Sequence, residues 1–281
     1  MNNLTKRTLS GLLFGVIMIF MTTFDKICFF CLFWALMTGA MKEFFAMSLG
    51  GSMKRERLIA LICACCAFIA SFLSCCVSSV PSEVVSVLYL ASFLSLLLVG
   101  VSCIFRADNS DFGNVSFVYA ALLYIALPVV LAPKLVMDGE IYDGWMLLSF
   151  FFVIWGTDVG AYFVGSALGQ RPGAKRLAPS ISPKKSWWGF GGGVFVGTAV
   201  AVGLHYLTWL PFSLVHCIAL GVIISVAGVC GDLVESLWKR YFHVKDSGNA
   251  IPGHGGVLDR FDSSLAAIPA AAIYLSLFNL I

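Results

Sequence analysis

Leu58-Ile-Ala-Leu-Ile-Cys-Ala-Cys-Cys-Ala-Phe-Ile-Ala-Ser-Phe-Leu-Ser-Cys-Cys-Val-Ser-Ser-Val80 runs for 23 residues without a charged side chain. A helix needs about 20 such residues to cross a hydrocarbon layer. Outward from it, comparable apolar segments lie near 8–24, 27–47, 84–105, 115–136, 145–168, 188–210, 213–236 and 257–281. With 58–80 they predict about nine transmembrane helices, acids lying within the sixth and the eighth among them. The whole chain of 281 residues is 59% hydrophobic and 12% charged, with mean hydropathy +0.92, which excludes an ordinary soluble domain. In hydrocarbon only helices and closed barrels satisfy every backbone group, and runs this long and unbroken exclude a barrel. The fold class is therefore all-α, a polytopic helical membrane protein. It is expected to form one integral domain over 1–281, with 1–150 as scaffold and 151–281 carrying the site.

Lys6 and Arg7 precede the first apolar run, but no small-residue cleavage site follows Phe24, so this helix is expected to be retained. Lysine and arginine mark cytoplasmic loops. With nine helices and a cytoplasmic N-terminus, only Lys26 and Lys134 of the 18 basic residues fall in outer loops. The inner loops thus meet anionic headgroups or nucleotides. The ten cysteines lie mostly within apolar runs. Cys63, Cys65 and Cys66 lack a matching histidine or second pair, and read as buried thiols.

Up to residue 150 the polar positions are sparse. Glu43 near the end of the second helix reads as an interfacial anchor, and Arg106–Asp111 as a solvated loop. No pair of Gly/Pro-interrupted helices recurs in matching positions of two halves, which argues against a transporter built from inverted repeats.

After residue 150 acids enter the membrane segments. Asp158 lies within a helix with Tyr162 four residues on, on the same face, and an ionisable group at that depth signals function. Small residues at 156, 160, 161 and 165 would admit a close neighbouring helix. The run Gly189–Gly193 lacks the Gly-Lys-Ser/Thr ending of a P-loop and also reads as close helix contact. The loop from Gly169 to Trp187 presents Ser182, Lys184, Lys185 and Ser186 at one edge, suited to phosphate. On the eighth helix Asp232, Glu235, Ser236 and Lys239 share a face, followed by Arg240, Lys245 and Asp246. The turn-rich link through His254 has glycines that let backbone approach a ligand. It ends in Asp259-Arg260-Phe-Asp262. If the link joins the helix ends, Asp232, Asp259 and Asp262 converge. Three carboxylates repel unless a cation holds them, and an all-oxygen set favours a hard ion such as Mg2+. Metal-assisted phosphoryl or nucleotidyl transfer at the inner face is the chemistry this suggests.

Ser236, Lys239, Arg240, Lys245, Asp246, Gly248, Pro252, His254, Gly255, Gly256, Asp259, Arg260 and Asp262 together resemble the signature of the phosphatidate cytidylyltransferase (CDP-diacylglycerol synthase) family. The resemblance extends to Asp158, Ala161, Tyr162 and Gly165, to Ser182–Trp187 and Gly189, and to Gly231-Asp232. It is strong over the second half of the chain and limited to hydropathy and length in the first. Where the family usually has an acid after the loop tryptophan, this chain has Trp188.

The resemblance implies transfer of CMP from CTP to phosphatidic acid, with release of pyrophosphate, as an early step of phospholipid biosynthesis. Asp232, Asp259 and Asp262 would hold Mg2+, a second cation being left open. Lys239 and His254 would join them in catalysis. Ser182, Lys184, Lys185, Ser186, Ser236, Arg240, Lys245, Asp246, Arg260 and Asp158 would bind substrate. The expected setting is the cell (inner) membrane with the site facing the cytoplasm, among membrane lipids. No nucleic-acid partner is expected, and a homodimer is left open. A CTP-dependent lipid kinase would lack this signature, and a cation-coupled transporter would place its acids near the midplane.

Overall fold

A computed structural model describes residues 3–105, 112–250 and 255–281. Its chain forms nine helices among these residues: α1 (Asn3–Thr23), α2 (Lys26–Leu49), α3 (Lys54–Cys76), α4 (Ser82–Ile104), α5 (Phe112–Val136), α6 (Trp145–Ala167), α7 (Trp187–Tyr206), α8 (Leu214–Tyr241) and α9 (Leu258–Leu277). Seven of them, α2 to α8, are long and apolar enough to span a membrane, and the protein is an integral multi-pass membrane protein. Two short hairpins interrupt the helices: β1 (Met137–Asp138) with β2 (Ile141–Tyr142), and β3 (Arg176–Ala178) with β4 (Ser182–Ser186). Hydropathy alone had placed loops there.

The chain divides into two compact units, and neither is one continuous stretch. The first comprises Met1–Tyr142 and Asp246–Arg260; the second comprises Asp143–Lys245 and Phe261–Ile281.

In the first unit, Asp25 starts α2 by accepting the Ile27 amide on its side chain (2.7 Å), a standard N-cap. Phe29, Phe33, Met37, Met41, Phe44 and Phe45 recur at three- and four-residue spacing along α2 and are buried. Phe30 of α2 stacks on Phe68 of α3 at 5.3 Å. The α4 helix shows the opposite pattern, with Val87, Leu90, Leu94, Leu97 and Leu98 all exposed. In an aqueous protein such a face would be a liability; on a helix long and apolar enough to span a membrane it suits contact with lipid. The α5 helix widens into a π-turn at Leu122–Ala126, just before Pro128. Proline has no N–H for the regular ladder, and a wider turn absorbs the break.

In the second unit α6 and α7 pack backbone to backbone. A methyl group on Gly160 would sit 2.6 Å from Val196 Cβ and 2.8 Å from the Gly192 carbonyl. The small residues of α6 and the glycine run of α7 thus form the close contact their sequence suggested. Ser186 ends β4 and begins α7: its side chain accepts the Gly189 amide at 3.1 Å. The α8 helix contributes Gly231, where a methyl would stand 2.4 Å from the Asp262 carbonyl. That approach seats the first turns of α9 against α8.

Candidate active site

The second unit contains an open-sided cavity of about 540 Å³ whose polar lining includes Asp158, Lys184, Lys185, Ser186 and Asp232. They arrive from three elements: Asp158 from α6, the two lysines and Ser186 from β4, and Asp232 from α8. Five of the residues singled out by sequence therefore meet in one space. Tyr162, one turn beyond Asp158, forms part of the wall and is 72% exposed.

The hairpin that delivers the lysines is braced from both ends. Gln170 donates through Nε2 to the Lys184 carbonyl (3.0 Å) and accepts from Arg176 Nη1 on Oε1 (2.9 Å). Arg176 Nη1 also reaches the Gly169 carbonyl at 3.2 Å. Arg240, at the end of α8, donates through Nε to the Ile181 carbonyl at 3.3 Å. Arg240 was expected among the substrate ligands; its Nε steadies the turn between β3 and β4. Ser182 is half-buried at the start of β4, and Ser186 is buried with its oxygen engaged as the α7 cap.

The electrostatic centre lies on α8. Lys185 Nζ pairs with Asp232 Oδ2, and Ser236 donates to Asp232 Oδ1 at 3.3 Å. One turn on, Lys239 Nζ pairs with Oε2 of Glu235, a carboxylate with no exposed surface. Asp262 joins from α9, its Oδ1 accepting the Ser263 amide at 2.6 Å. One carboxylate oxygen from each of Asp232, Glu235 and Asp262 lies within 4.8 Å of the other two. Glu235 is the member sequence reasoning had noted on the right face but not selected. Its spacing of three from Asp232 was the available signal.

Asp259 belongs to the first unit, where its Oδ2 accepts the Ser247 amide (3.0 Å) and the Gly256 amide (2.8 Å). Lys245, Asp246 and Arg260 are exposed. His254 lies outside the described residues, as does the Arg106–Asp111 loop. Glu43 is not the simple interfacial anchor expected of it. It accepts from Ser247 Oγ (3.1 Å), from the Val257 amide (2.9 Å) and from the Leu258 amide (2.9 Å). Its partners lie over 200 residues away in sequence, so no local pattern announces them.

Three oxygen donors at this separation, one fully buried, suit a hard divalent cation. Two lysines on an adjacent strand suit an anion of the phosphate kind. A site pairing these features can bring a metal-bound polyphosphate and a second anion together.

The family model for the cytidylyltransferase family matches residues 5–278. The chain belongs to that family. It is 33% identical over 282 residues to the phosphatidate cytidylyltransferase of Bacillus subtilis, covering 99% of this chain and 100% of that protein. It is 32% identical over 196 residues to the enzyme of the same name from Rickettsia bellii, over 68% of this chain and 83% of the relative. With that of Staphylococcus aureus it shares 36% over 194 residues, 68% of this chain and 71% of the relative. The protein is thus a nucleotidyltransferase, and the likeness to the first relative extends well into the half whose loops are chemically plain.

Proposed function

We propose that this cytidylyltransferase transfers CMP from CTP to phosphatidic acid, giving CDP-diacylglycerol and pyrophosphate in a Mg2+-dependent reaction. The observation that carries the reading is the meeting of Lys184, Lys185 and Asp232 in one cavity, with Glu235 and Asp262 beside Asp232. The names of the relatives support the substrate pair.

Asp232, Glu235 and Asp262 are the residues that would hold the cation. When bound, Mg2+ supplies charge neutralisation for the triphosphate and the leaving pyrophosphate. The phosphate oxygen of phosphatidic acid is already anionic and attacks the α-phosphorus of CTP directly. The chain therefore has no need of a strong general base, and catalysis rests on positioning and on charge. Lys184 and Lys185 take phosphate oxygens, and Lys185 exchanges its Asp232 contact for them as substrate enters. Ser236 orients Asp232, and Lys239 balances Glu235. Asp158 supports the cavity from α6. Asp259 shapes the link that starts α9; Lys245, Asp246 and Arg260 contribute to substrate binding, and His254 contributes to catalysis.

Tyr162, Leu177, Phe190 and Val229 give the cavity an apolar wall of the kind acyl chains contact. The bias of basic residues supports the reading that this face meets the cytoplasm at the plasma (inner) membrane, where CTP is available.

The test supplies labelled CTP and phosphatidic acid to purified protein in lipid, with and without Mg2+. Labelled CDP-diacylglycerol with equimolar pyrophosphate, absent without Mg2+, is the expected result. Active preparations of the relatives assayed alongside, with no CDP-diacylglycerol from this protein, would refute it.

A further inference from the structure

The helix α9 begins behind Val257, whose side chain has no hydrogen-bond acceptor. Its first amides, Val257 and Leu258, follow Gly255-Gly256, so none of the side chains that usually accept such amides stands at the start. The acceptor comes instead from α2. Glu43 Oε1 takes the Val257 amide and Oε2 the Leu258 amide, both at 2.9 Å. A carboxylate at a helix start is favoured by the helix dipole as well as by the two bonds.

The same carboxylate holds the other end of the link. Ser247 Oγ donates to Glu43 Oε2 at 3.1 Å, and Ser247 itself is buried. The link is built to admit it. A methyl on Gly256 would lie 2.3 Å from Glu43 Oε2, and one on Gly248 would lie 2.6 Å from Oε1. One turn earlier on α2, Gly39 faces Val257, and a methyl there would make an ordinary contact with its Cγ2 at 3.4 Å. Asp259 adds a second tie between the same two ends, through Ser247 and Gly256. Residues 247 and 256–258 are thereby held together from two directions, and the start of α9 is fixed in register.

We propose that Glu43 is a positioning residue for cytidylyl transfer, clamping both ends of the glycine-rich link so that α9, the helix that carries Asp262, starts in a fixed register. The proposal rests on the reading of Asp262 given above. Glu43 touches neither substrate nor metal. It acts through the link, and a displacement of about 1 Å at a reacting centre can cost ~100-fold in rate.

The discriminating variants are Glu43→Gln and Ser247→Ala in the full-length protein. Glutamine keeps the size but turns an NH2 toward converging donors; the serine variant removes one donor and leaves both helices untouched. Three readouts are needed: kcat with the KM for each substrate, the Mg2+ concentration for half activation, and amide exchange over residues 246–258. Expected for Glu43→Gln are a kcat lowered by about tenfold or more, an altered Mg2+ midpoint, phosphatidate KM nearly unchanged, and faster exchange confined to the link. Ser247→Ala should shift the same quantities in the same direction by less. Unchanged exchange in both variants overturns the clamp. Faster exchange with wild-type kcat per folded molecule overturns the role in the reaction and leaves a purely structural cap. If Glu43→Gln yields no folded protein, Ser247→Ala alone decides between these outcomes. Asp232→Asn serves as the separate control: full activity there sinks the acid-site reading, whereas the exchange arm still judges the clamp.

Discussion

Lys185 Nζ rests on Oδ2 of Asp232, joining the β4 strand to α8 inside the cavity. Both side chains are about a third exposed, 28% and 31%, so the pair contributes little to stability by itself, within about 1 kcal/mol. Its value lies elsewhere. The ammonium neutralises the carboxylate until an anion or a cation arrives, and each then has a partner ready to give up.

Lys185→Met is therefore expected to fold normally and to fail in the reaction. Loss of a charge-assisted phosphate contact should lower kcat/KM for CTP by ~10- to 100-fold, with the thermal midpoint within a few degrees of wild type. Steady-state kinetics on CTP and phosphatidate checks this. An unchanged kcat/KM for both would remove Lys185 from the substrate contacts.

Asp262→Asn and Asp232→Asn each remove one oxygen charge from the group formed with Glu235. Turnover is expected to fall below detection while the helical content by circular dichroism holds. Near-normal turnover of either variant at saturating Mg2+ would exclude that residue from the cation site. Chelation of divalent ions by EDTA should silence the wild type, and Mg2+ should restore it.

Glu235 and Lys239 make a different kind of pair, because the carboxylate has no exposed surface and the lysine is 15% exposed. Lys239→Met strands a buried charge, and breaking such a pair costs about 3–5 kcal/mol. A large drop in unfolding temperature is expected, partly recovered in the double variant Glu235→Gln/Lys239→Met. Equal stability of the single variant and wild type would show that Glu235 is held by other means.

The seven helices long and apolar enough to span were legible because lipid imposes a crude requirement, some 20 apolar residues, that hydropathy reads directly; α1 and α9 were expected to span as well and fall short of it. The lysine-bearing edge was legible from Ser182–Ser186, but not its form. Nothing in Arg176–Ala178 alternates strongly, and the hairpin depends on Gln170 and Arg176 reaching across it. The first hairpin had a signal in Gly139-Glu140, a two-residue turn with Gly139 at φ +59°, which suits the tight turns of hairpins. Apolar runs on both sides masked it. Among the acids, Asp232 and Asp262 stood out by their place near helix ends. Glu235 needed knowledge of its burial, and Glu43 needed the tertiary contact that brings α2 to the start of α9. Helix periodicity reports faces within an element; it is silent on partners 200 residues away.

The approach of α9 to α8 at Gly231 gives the most demanding prediction. A methyl there would stand 2.4 Å from the Asp262 carbonyl and 3.1 Å from Ala266 Cβ, and a backbone atom cannot step aside as a flexible side chain can. Gly231→Ala must push the first turns of α9 outward, at a cost of about 1–3 kcal/mol. The same displacement moves Asp262 away from Asp232, the residue next to the substitution. Activity should thus fall far more than stability, with a higher Mg2+ requirement as the distinguishing sign. Gly160→Ala provides the comparison, since it overpacks α6 against Val196 and the Gly192 carbonyl without touching α9. It should lower the unfolding temperature by a similar amount and leave the Mg2+ midpoint where it was. Matching Mg2+ curves for the two variants would show that the contact at Gly231 serves packing alone.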